Sequence, residues 1–249
     1  MKGRHHERPI QTVIHRFTMP WPTAGSGRGV SCPIRLLAVS DDRDPSLERS
    51  DVRTTVGPID LIVGCGDLEP DYLSMLGDAL MAPLVYVRGN HDRGLGWTEG
   101  SYRAPEPMPD ARPIERADLR LAGLSWPGRL DGRAERDEKA AWRQALALAA
   151  RTAMSESASL VLISHVPPQG LGDAADAYHR GFPAYRWLLG RLRPRLWLHG
   201  HTHRASCVSN LDVAGATNVL NVTAATLIEL TPVPAQGALP EAAALEAKR

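Results

Sequence analysis

Polar side chains follow almost every strand-length apolar run in this chain. Seven such runs are bounded by turn residues and predict strands: Ile34–Val39, Leu61–Gly64, Pro83–Val87, Leu119–Leu124, Leu160–Ile163, Leu196–Leu198 and Val219–Val222. Several are apolar on both faces, which is typical of strands buried in a layered α/β fold. Five of these runs are followed within three residues by Asp, Asn or His. Because the carboxyl ends of strands line the ligand crevice in open α/β folds, the sequence predicts one shared polar pocket.

Three segments between these strands carry apolar residues at helical spacing. The predicted helices are Asp71–Ala79, Glu135–Ala153 and Ala184–Leu192, and residues 93–118 are expected to form a long surface loop. Residues 1–33 are rich in proline and hold a single acidic residue, so we expect a disordered leader, with a transit peptide or a later start as alternatives. The predicted domain spans residues 34–231, followed by a C-terminal tail over residues 232–249.

Composition narrows the class of function. The chain of 249 residues carries 29 basic and 28 acidic side chains, which excludes a polyanion binder that acts through net charge. Only 5% of the residues are aromatic, so nucleic acid is not a favoured partner and a nuclease is the less favoured enzyme class. No apolar run approaches the ~18 residues of a membrane helix, so no membrane partner is expected. The three cysteines stand far apart and fit a reducing, cytoplasmic location.

The strand ends supply side chains of the kinds that bind metal ions. Carboxylates, an amide and imidazoles without a thiolate suit Mn²⁺, Fe or Zn²⁺ rather than a cysteine-based structural zinc site. His201 and His203 stand two residues apart, so an extended backbone turns both to the same side. Taken singly, Asp41 and Asp67 could instead be helix caps, and His165 could be an ordinary buried histidine.

Taken in order, four short motifs at strand ends resemble those of the calcineurin-like metallophosphoesterases. They are Gly66-Asp67, Gly89-Asn90-His91-Asp92, Ser164-His165 and Gly200-His201-Thr202-His203. The resemblance extends from Ile34 to about Leu230. It implies an α/β fold of one domain, a four-layer α-β-β-α sandwich with two divalent metal ions (Mn, Fe or Zn) at the strand ends. It also implies hydrolysis of a small phosphorylated substrate, a phosphate monoester or diester, by a metal-bridging hydroxide.

The resemblance also implies a role for each matching residue. The implied metal ligands are Asp41, Asp67, Asn90, His165, His201 and His203. Asp67 would bridge the two metals, with Asn90, His165 and His201 on one of them and the remaining two ligands on the other. His91 would act as general acid or stabilise the transition state near the leaving-group oxygen. Asp92 would hold the His91 ring in orientation.

The first motif departs from the family pattern. The family has Asp-x-His, whereas this chain has Asp41-Asp42-Arg43-Asp44. Arg43 stays protonated and cannot bind a metal, so one metal lacks an expected imidazole. Asp44 could replace it, or that metal is weakly held, and Arg43 could clamp phosphate or pair with a neighbouring carboxylate.

Two further questions stay open at the level of the sequence. His179 lies in a polar loop and could contact a metal or the substrate, or simply belong to the surface. The missing first-motif histidine also leaves a second class of function, a metal-binding interaction or regulatory protein with impaired catalysis. Neither the identity of the substrate nor the oligomeric state follows from the residues.

Overall fold

The computed structural model of this protein describes residues 14–22, 32–93, 105–129, 135–153, 159–203 and 210–233. The strands of these residues are β1 (His15–Pro22), β2 (Ile34–Ser40), β3 (Leu61–Gly64), β4 (Leu84–Tyr86), β5 (Pro113–Arg116), β6 (Leu119–Leu124), β7 (Leu160–Ser164), β8 (Leu196–His199), β9 (Leu211–Ala214), β10 (Thr217–Asn221) and β11 (Ala224–Val233). The helices are α1 (Val52–Val56), α2 (Pro70–Leu80), α3 (Glu138–Thr152), α4 (Pro183–Leu192) and a short 3₁₀ helix (Pro45–Glu48).

The strands form two mixed sheets. The first has the order β1-β11-β2-β3-β4, and the second has the order β5-β6-β7-β8-β10-β9. Strands β2, β3 and β4 run parallel to one another, as do β6, β7, β8 and β10. Parallel neighbours end at the same edge of a sheet, so the loops that follow them are brought together there.

The side chains of the central strands alternate between two apolar layers. Leu36 and Ala38 of β2 lie in the core between the two sheets, whereas Leu37 and Val39 pack with α1 and α2. On the second sheet, Ile163 of β7 lies in the core between the sheets, and Leu162 and Leu160 of the same strand pack with α3 and α4. Strands of this kind are apolar on both faces because both faces are covered. The predicted four-layer α-β-β-α sandwich of α/β class is confirmed.

The expectation of a disordered leader is wrong for residues 15–22. Strand β1 lies there and pairs in parallel with β11 along its whole length. Met19 and Trp21 are buried, while Thr18 and Pro20 of the same strand are exposed. Prolines lack the N–H that a central strand needs, but β1 is an edge strand, where proline is tolerated.

Two further segments differ from the sequence prediction. The predicted surface loop over residues 93–118 contains β5, which pairs with β6 in a short antiparallel hairpin. Strand β11, between β1 and β2, reaches Val233 and so extends past the predicted domain end at residue 231. Most of the predicted tail lies outside the described residues. Within the described part of the chain, no helix has both the length and the apolar character needed to cross a bilayer.

Candidate metal centre

The loops after five strands meet at one edge of the sandwich. Backbone hydrogen bonds tie them together: Asp41 N donates to Gly66 O at 3.2 Å, and Gly200 N donates to His165 O at 3.0 Å. Across the two sheets, His201 N donates to the Asp41 carboxylate at 2.9 Å. The polar ends of β2, β3, β4, β7 and β8 therefore form one cluster, as their placement in the sequence predicts.

Three of the predicted ligands have a left-handed backbone. The φ angles are 61° at Asp41, 57° at Asp67 and 66° at His201. Residues with a Cβ adopt this region at a cost of roughly 1–3 kcal/mol each, and only where the surrounding structure enforces it. The tight turns after β2, β3 and β8 aim these three side chains into the cluster.

Two glycines allow the backbone to approach the carboxylates closely. A Cβ at Gly200 would overlap Ser40 Oγ and Asp41 Oδ2, and a Cβ at Gly89 would overlap Asp67 Oδ1. A real Cβ does not occupy such positions unless its neighbours move. Glycine at these two positions leaves room for the carboxylates of the site.

Backbone carbonyls determine which nitrogen of each buried histidine faces the centre. His165 Nδ1 lies 2.8 Å from Cys65 O, and His201 Nε2 lies 3.0 Å from Tyr178 O. A carbonyl only accepts, so each of these nitrogens carries a proton, and in the neutral imidazole the other nitrogen carries the lone pair. The two nitrogens that face the centre, His165 Nε2 and His201 Nδ1, are 3.2 Å apart. Metal-binding histidines are typically oriented in this way.

Two oxygens complete the convergence of acceptors. Asn90 Nδ2 donates to Tyr178 Oη at 2.6 Å, which turns Asn90 Oδ1 toward His165 Nε2 at 2.9 Å. Asp67 Oδ2 lies 3.2 Å from the same nitrogen. One proton on His165 cannot satisfy all of these acceptors at once, whereas a divalent cation can bind them together. The donor set therefore fits a metal ion.

A second observation supports this fit. Asp41, Asp67 and His165 each offer a ligand atom, and these atoms lie within 4.8 Å of one another. Without a cation, the buried charges of the site shift the pKa values of its histidines. Burial opposes charge on His165, but the carboxylates of Asp67 and Asp41 outweigh it and raise its pKa to about 9. Burial and the nearby His165 charge lower the pKa of His201 to about 3.

This cluster of polar side chains opens into a cavity of about 240 Å³. Its lining residues are Asp41, Asp42, Asp67, His91, Tyr178, His179, His201 and His203. His91 is exposed, its N–H donates to Asp67 Oδ1 at 2.7 Å, and its Nε2 lies 3.0 Å from Tyr178 Oη. The side chain of His203 is 60% exposed and lies at the rim, 3.9 Å from Asp42 Oδ2.

Asp92 holds the loop backbone rather than the His91 ring. Its Oδ2 accepts from Gly89 N at 2.7 Å and from Asp67 N at 3.0 Å. Burial raises the pKa of Asp92 to about 6. The expectation that Asp92 orients the imidazole next to it therefore does not fit the geometry. Asp92 positions the two loops that carry Asp67 and Asn90.

Asp44 and Arg43 do not line the cavity. Asp44 is buried, and its Oδ1 caps the 3₁₀ helix by accepting from Ser46 N at 2.9 Å and Ser46 Oγ at 2.7 Å. Arg43 pairs with Glu48 at 2.8 Å, and its guanidinium lies 4.9 Å from the centre of the Tyr72 ring. The expectation that Asp44 replaces the missing metal ligand is therefore wrong. The expectation that Arg43 binds the phosphate of a substrate is also wrong, because its side chain is turned away from the cavity. Both side chains have local partners instead.

Tyr178 and Asp42 are the cavity residues that sequence reasoning missed. Tyr178 lies in the polar loop before α4, directly before His179, and no local pattern marks it. Only its contacts across the fold give it a place in the site. Asp42 directly follows the predicted ligand Asp41. Its position after a strand was the one feature of the sequence that could have identified it as a cavity residue.

Comparison with known proteins places these observations in a family. The family model described as calcineurin-like phosphoesterase matches residues 57–205, which is more than half of the chain. TT1561 of Thermus thermophilus is similar at 16% identity with a TM-score of 0.54, over 78% of this chain and 90% of that chain. Vps29 from Cryptosporidium parvum has 13% identity and a TM-score of 0.39, over 78% and 76%. A comparison with curated proteins found no significant match.

Proposed function

Because this chain belongs to the calcineurin-like phosphoesterase family, we propose that it is a metal-dependent hydrolase of phosphate esters. The observation that carries the proposal is the convergence of His165 Nε2, His201 Nδ1, Asn90 Oδ1 and Asp67 Oδ2 beside the exposed imidazole of His91. Divalent cations bound there would orient a phosphoryl group, offset its charge and supply a nucleophilic water near neutral pH.

The residues divide between two cation positions. Asn90, His165 and His201 would hold one cation, and Asp67 would reach both. Asp41 and His203 lie toward the cavity side of the cluster and would hold the second cation. The oxygen and imidazole donors favour Mn²⁺, Fe or Zn²⁺.

His91 is the candidate proton donor to the leaving group. Its imidazole is exposed at the cavity, while its backbone N–H is anchored on the Asp67 carboxylate. The imidazole thus lies beside the cluster without being one of the proposed metal ligands. Tyr178 Oη, 3.0 Å from His91 Nε2, limits the directions in which the ring can turn. A positioned general acid typically contributes about 10²–10⁴-fold to a rate.

The test of this function is phosphate-ester hydrolysis by the Mn²⁺-loaded protein. Replacing His91→Ala should lower turnover of p-nitrophenyl phosphate or bis(p-nitrophenyl) phosphate by about 10²–10⁴-fold without loss of bound metal. The preferred substrate of the two would assign a monoesterase or a diesterase. His15→Ala, an exposed histidine on β1, is the matched control and should leave turnover unchanged. Equal turnover in the His91 variant and the wild type would rule out His91 as the proton donor.

A second candidate function rests on Arg43. Its ion pair with Glu48 and its place over the Tyr72 ring leave the second cation one imidazole short of the family pattern. A metal-binding interaction or regulatory protein would follow if catalysis were lost with that ligand. Metal binding without hydrolysis of either nitrophenyl ester would favour this second function over the first.

A further inference from the structure

The first motif, at the end of β2, offers one imidazole fewer than the family pattern. The first-motif position is occupied by Arg43, whose side chain is turned to Glu48 and Tyr72. Asp41 and His203 line the cavity and remain as candidate ligands, together with Asp67 from the neighbouring strand end. Borderline metal ions in catalytic sites usually have at least three protein ligands, with imidazole prominent among them.

One unassigned imidazole lines this same cavity. His179 comes from the loop between β7 and α4, so it reaches the site from the opposite sheet. Its ring centre lies 6.1 Å from that of His203 and 5.4 Å from that of His201. Two imidazoles on one cation, at metal–nitrogen distances of about 2.1 Å, have ring centres at most about 6.5 Å apart. His179 is therefore within reach of a cation shared with His203.

A carboxylate prepares His179 for metal binding. His179 Nδ1 lies 3.0 Å from Asp176 Oδ1 and 2.9 Å from Asp176 Oδ2. The carboxylate accepts from Nδ1–H, so in the neutral imidazole the lone pair is on Nε2. Metal-binding histidines commonly donate their other ring N–H to a carboxylate in this way, which fixes the tautomer and raises the basicity of the ligand. A neutral His179 in this tautomer cannot donate Nε2–H to a phosphate oxygen.

The loop that carries His179 is held against the site. Asp176 Oδ1 also accepts from the backbone N–H groups of Tyr178 and His179, both at 3.0 Å. Tyr178 in turn contacts His201 through its carbonyl and Asn90 through its hydroxyl. The ring of His179 is thus placed by the same short segment that orients two of the proposed ligands.

We propose that His179 supplies the imidazole that the first motif lacks, as a ligand of the second cation together with His203. This inference rests on the proposed metal site but not on its catalytic activity. His179 and His203 lie outside the tight group of Asp41, Asp67 and His165. Both rings would therefore have to turn inward to share a cation with that group. Asp176 is then a positioning residue that acts through the imidazole.

The test measures bound metal in the full-length protein, stripped by a chelator and titrated with Co²⁺. The wild type should bind two Co²⁺ per chain, and His179→Ala should lose the weaker one by at least tenfold in affinity. Free imidazole should restore the affinity of this variant for the weaker Co²⁺, because it can occupy the position of the missing His179 ring. Asp176→Asn should weaken the same Co²⁺ by about 10–100-fold, which is typical for a hydrogen-bond partner of a metal-binding histidine.

Matched controls separate a ligand from a merely structural residue. Ala177→Ser changes an exposed position of the same turn and should leave both affinities unaltered. Wild-type Co²⁺ affinities in His179→Ala would overturn the inference, whether the wild type binds one ion or two. Two tightly bound ions without hydrolysis of phosphate esters would instead contradict the proposed function and leave the role of His179 standing.

Discussion

At the scale of single residues, the close approach of the backbone to Asp41 makes Gly200 sensitive to any side chain. Gly200→Ala places a Cβ against Ser40 Oγ and Asp41 Oδ2, so the loop after β8 must move. We expect a loss of about 1–3 kcal/mol in the free energy of unfolding, typical of overpacking. Metal affinity should fall as well, because Asp41 is displaced. Urea denaturation and a metal titration measure the two effects.

Gly190 provides the matched comparison. It lies in α4, and a Cβ there would have no atom within 4 Å apart from the nearby backbone of its own helix. Gly190→Ala should raise the free energy of unfolding by about 0.5–1 kcal/mol, because glycine weakens a helix. A similar loss of stability in both variants would show that the close contacts at Gly200 are not the cause.

Tyr178 is predicted to position two polar groups of the site. Its hydroxyl lies 2.6 Å from Asn90 Nδ2 and 3.0 Å from His91 Nε2. Tyr178→Phe removes these contacts but keeps the carbonyl that orients His201. Since a hydrogen bond contributes about 0.5–1.5 kcal/mol, we expect kcat to fall roughly three- to tenfold while bound metal stays constant. Unchanged kcat would rule out the positioning role.

At the scale of secondary structure elements, β1 is predicted to be part of the cooperative fold. Trp21 is 4% exposed and belongs to the core between the sheets. Trp21→Ala should therefore cost about 3–5 kcal/mol of unfolding free energy, as for other large core residues. Thr18→Ala, at an exposed position of the same strand, should change stability by less than about 0.5 kcal/mol. Equal effects would mean that β1 does not contribute to the core.

His199, at the end of β8, makes the free energy of unfolding depend on pH. His199 is fully buried, and burial lowers its pKa to about 4. The unfolded residue titrates at about 6.5, so the unfolded state takes up a proton first as the pH falls. The stability that neutral His199 contributes is present above that value and is lost toward pH 4, by about 3 kcal/mol.

His199→Gln tests this contribution, because glutamine is polar, similar in length and does not titrate. The unfolding free energies of the wild type and the variant, measured by urea denaturation in chelator, should converge or cross as the pH is lowered from about 7 to about 4. A constant difference across this range would show that His199 does not carry the proton linkage.

At the scale of the whole molecule, cation binding should stabilise both sheets together, because the ligands come from strand ends of each sheet. At a free Mn²⁺ concentration of about 100 times its Kd, the gain is about 2.7 kcal/mol, seen as a higher Tm than in chelator. Asp67→Asn should abolish most of this gain. Asp44→Asn should keep it, since Asp44 caps the 3₁₀ helix and asparagine caps about equally well. Equal losses in the two variants would make Asp44 a metal ligand.

The apolar pattern of single strands explains why much of the architecture could be predicted from the sequence. Apolar runs such as Leu61–Gly64 are recognisable because both faces of the strand are buried. By contrast, β1 lies among prolines, and its role depends on β11, which is distant in the chain. Edge strands like β1 and β5 bury less of their length, so their apolar pattern is weak.

The residues alone determined where the central strands lie along the chain and which kinds of donor atoms follow them. Spacing along a chain reports local conformation, so it placed Asp67, Asn90, His165 and His201 after predicted strands, and the family resemblance implied their roles. Only the tertiary structure decided which atoms meet. His165 and Cys65 are 100 positions apart, yet their hydrogen bond selects the nitrogen that faces the centre. The directions of Asp92 and Tyr178 likewise depend on partners that are distant in the chain. Hydrogen bonds to those partners form only when the strands and sheets have packed.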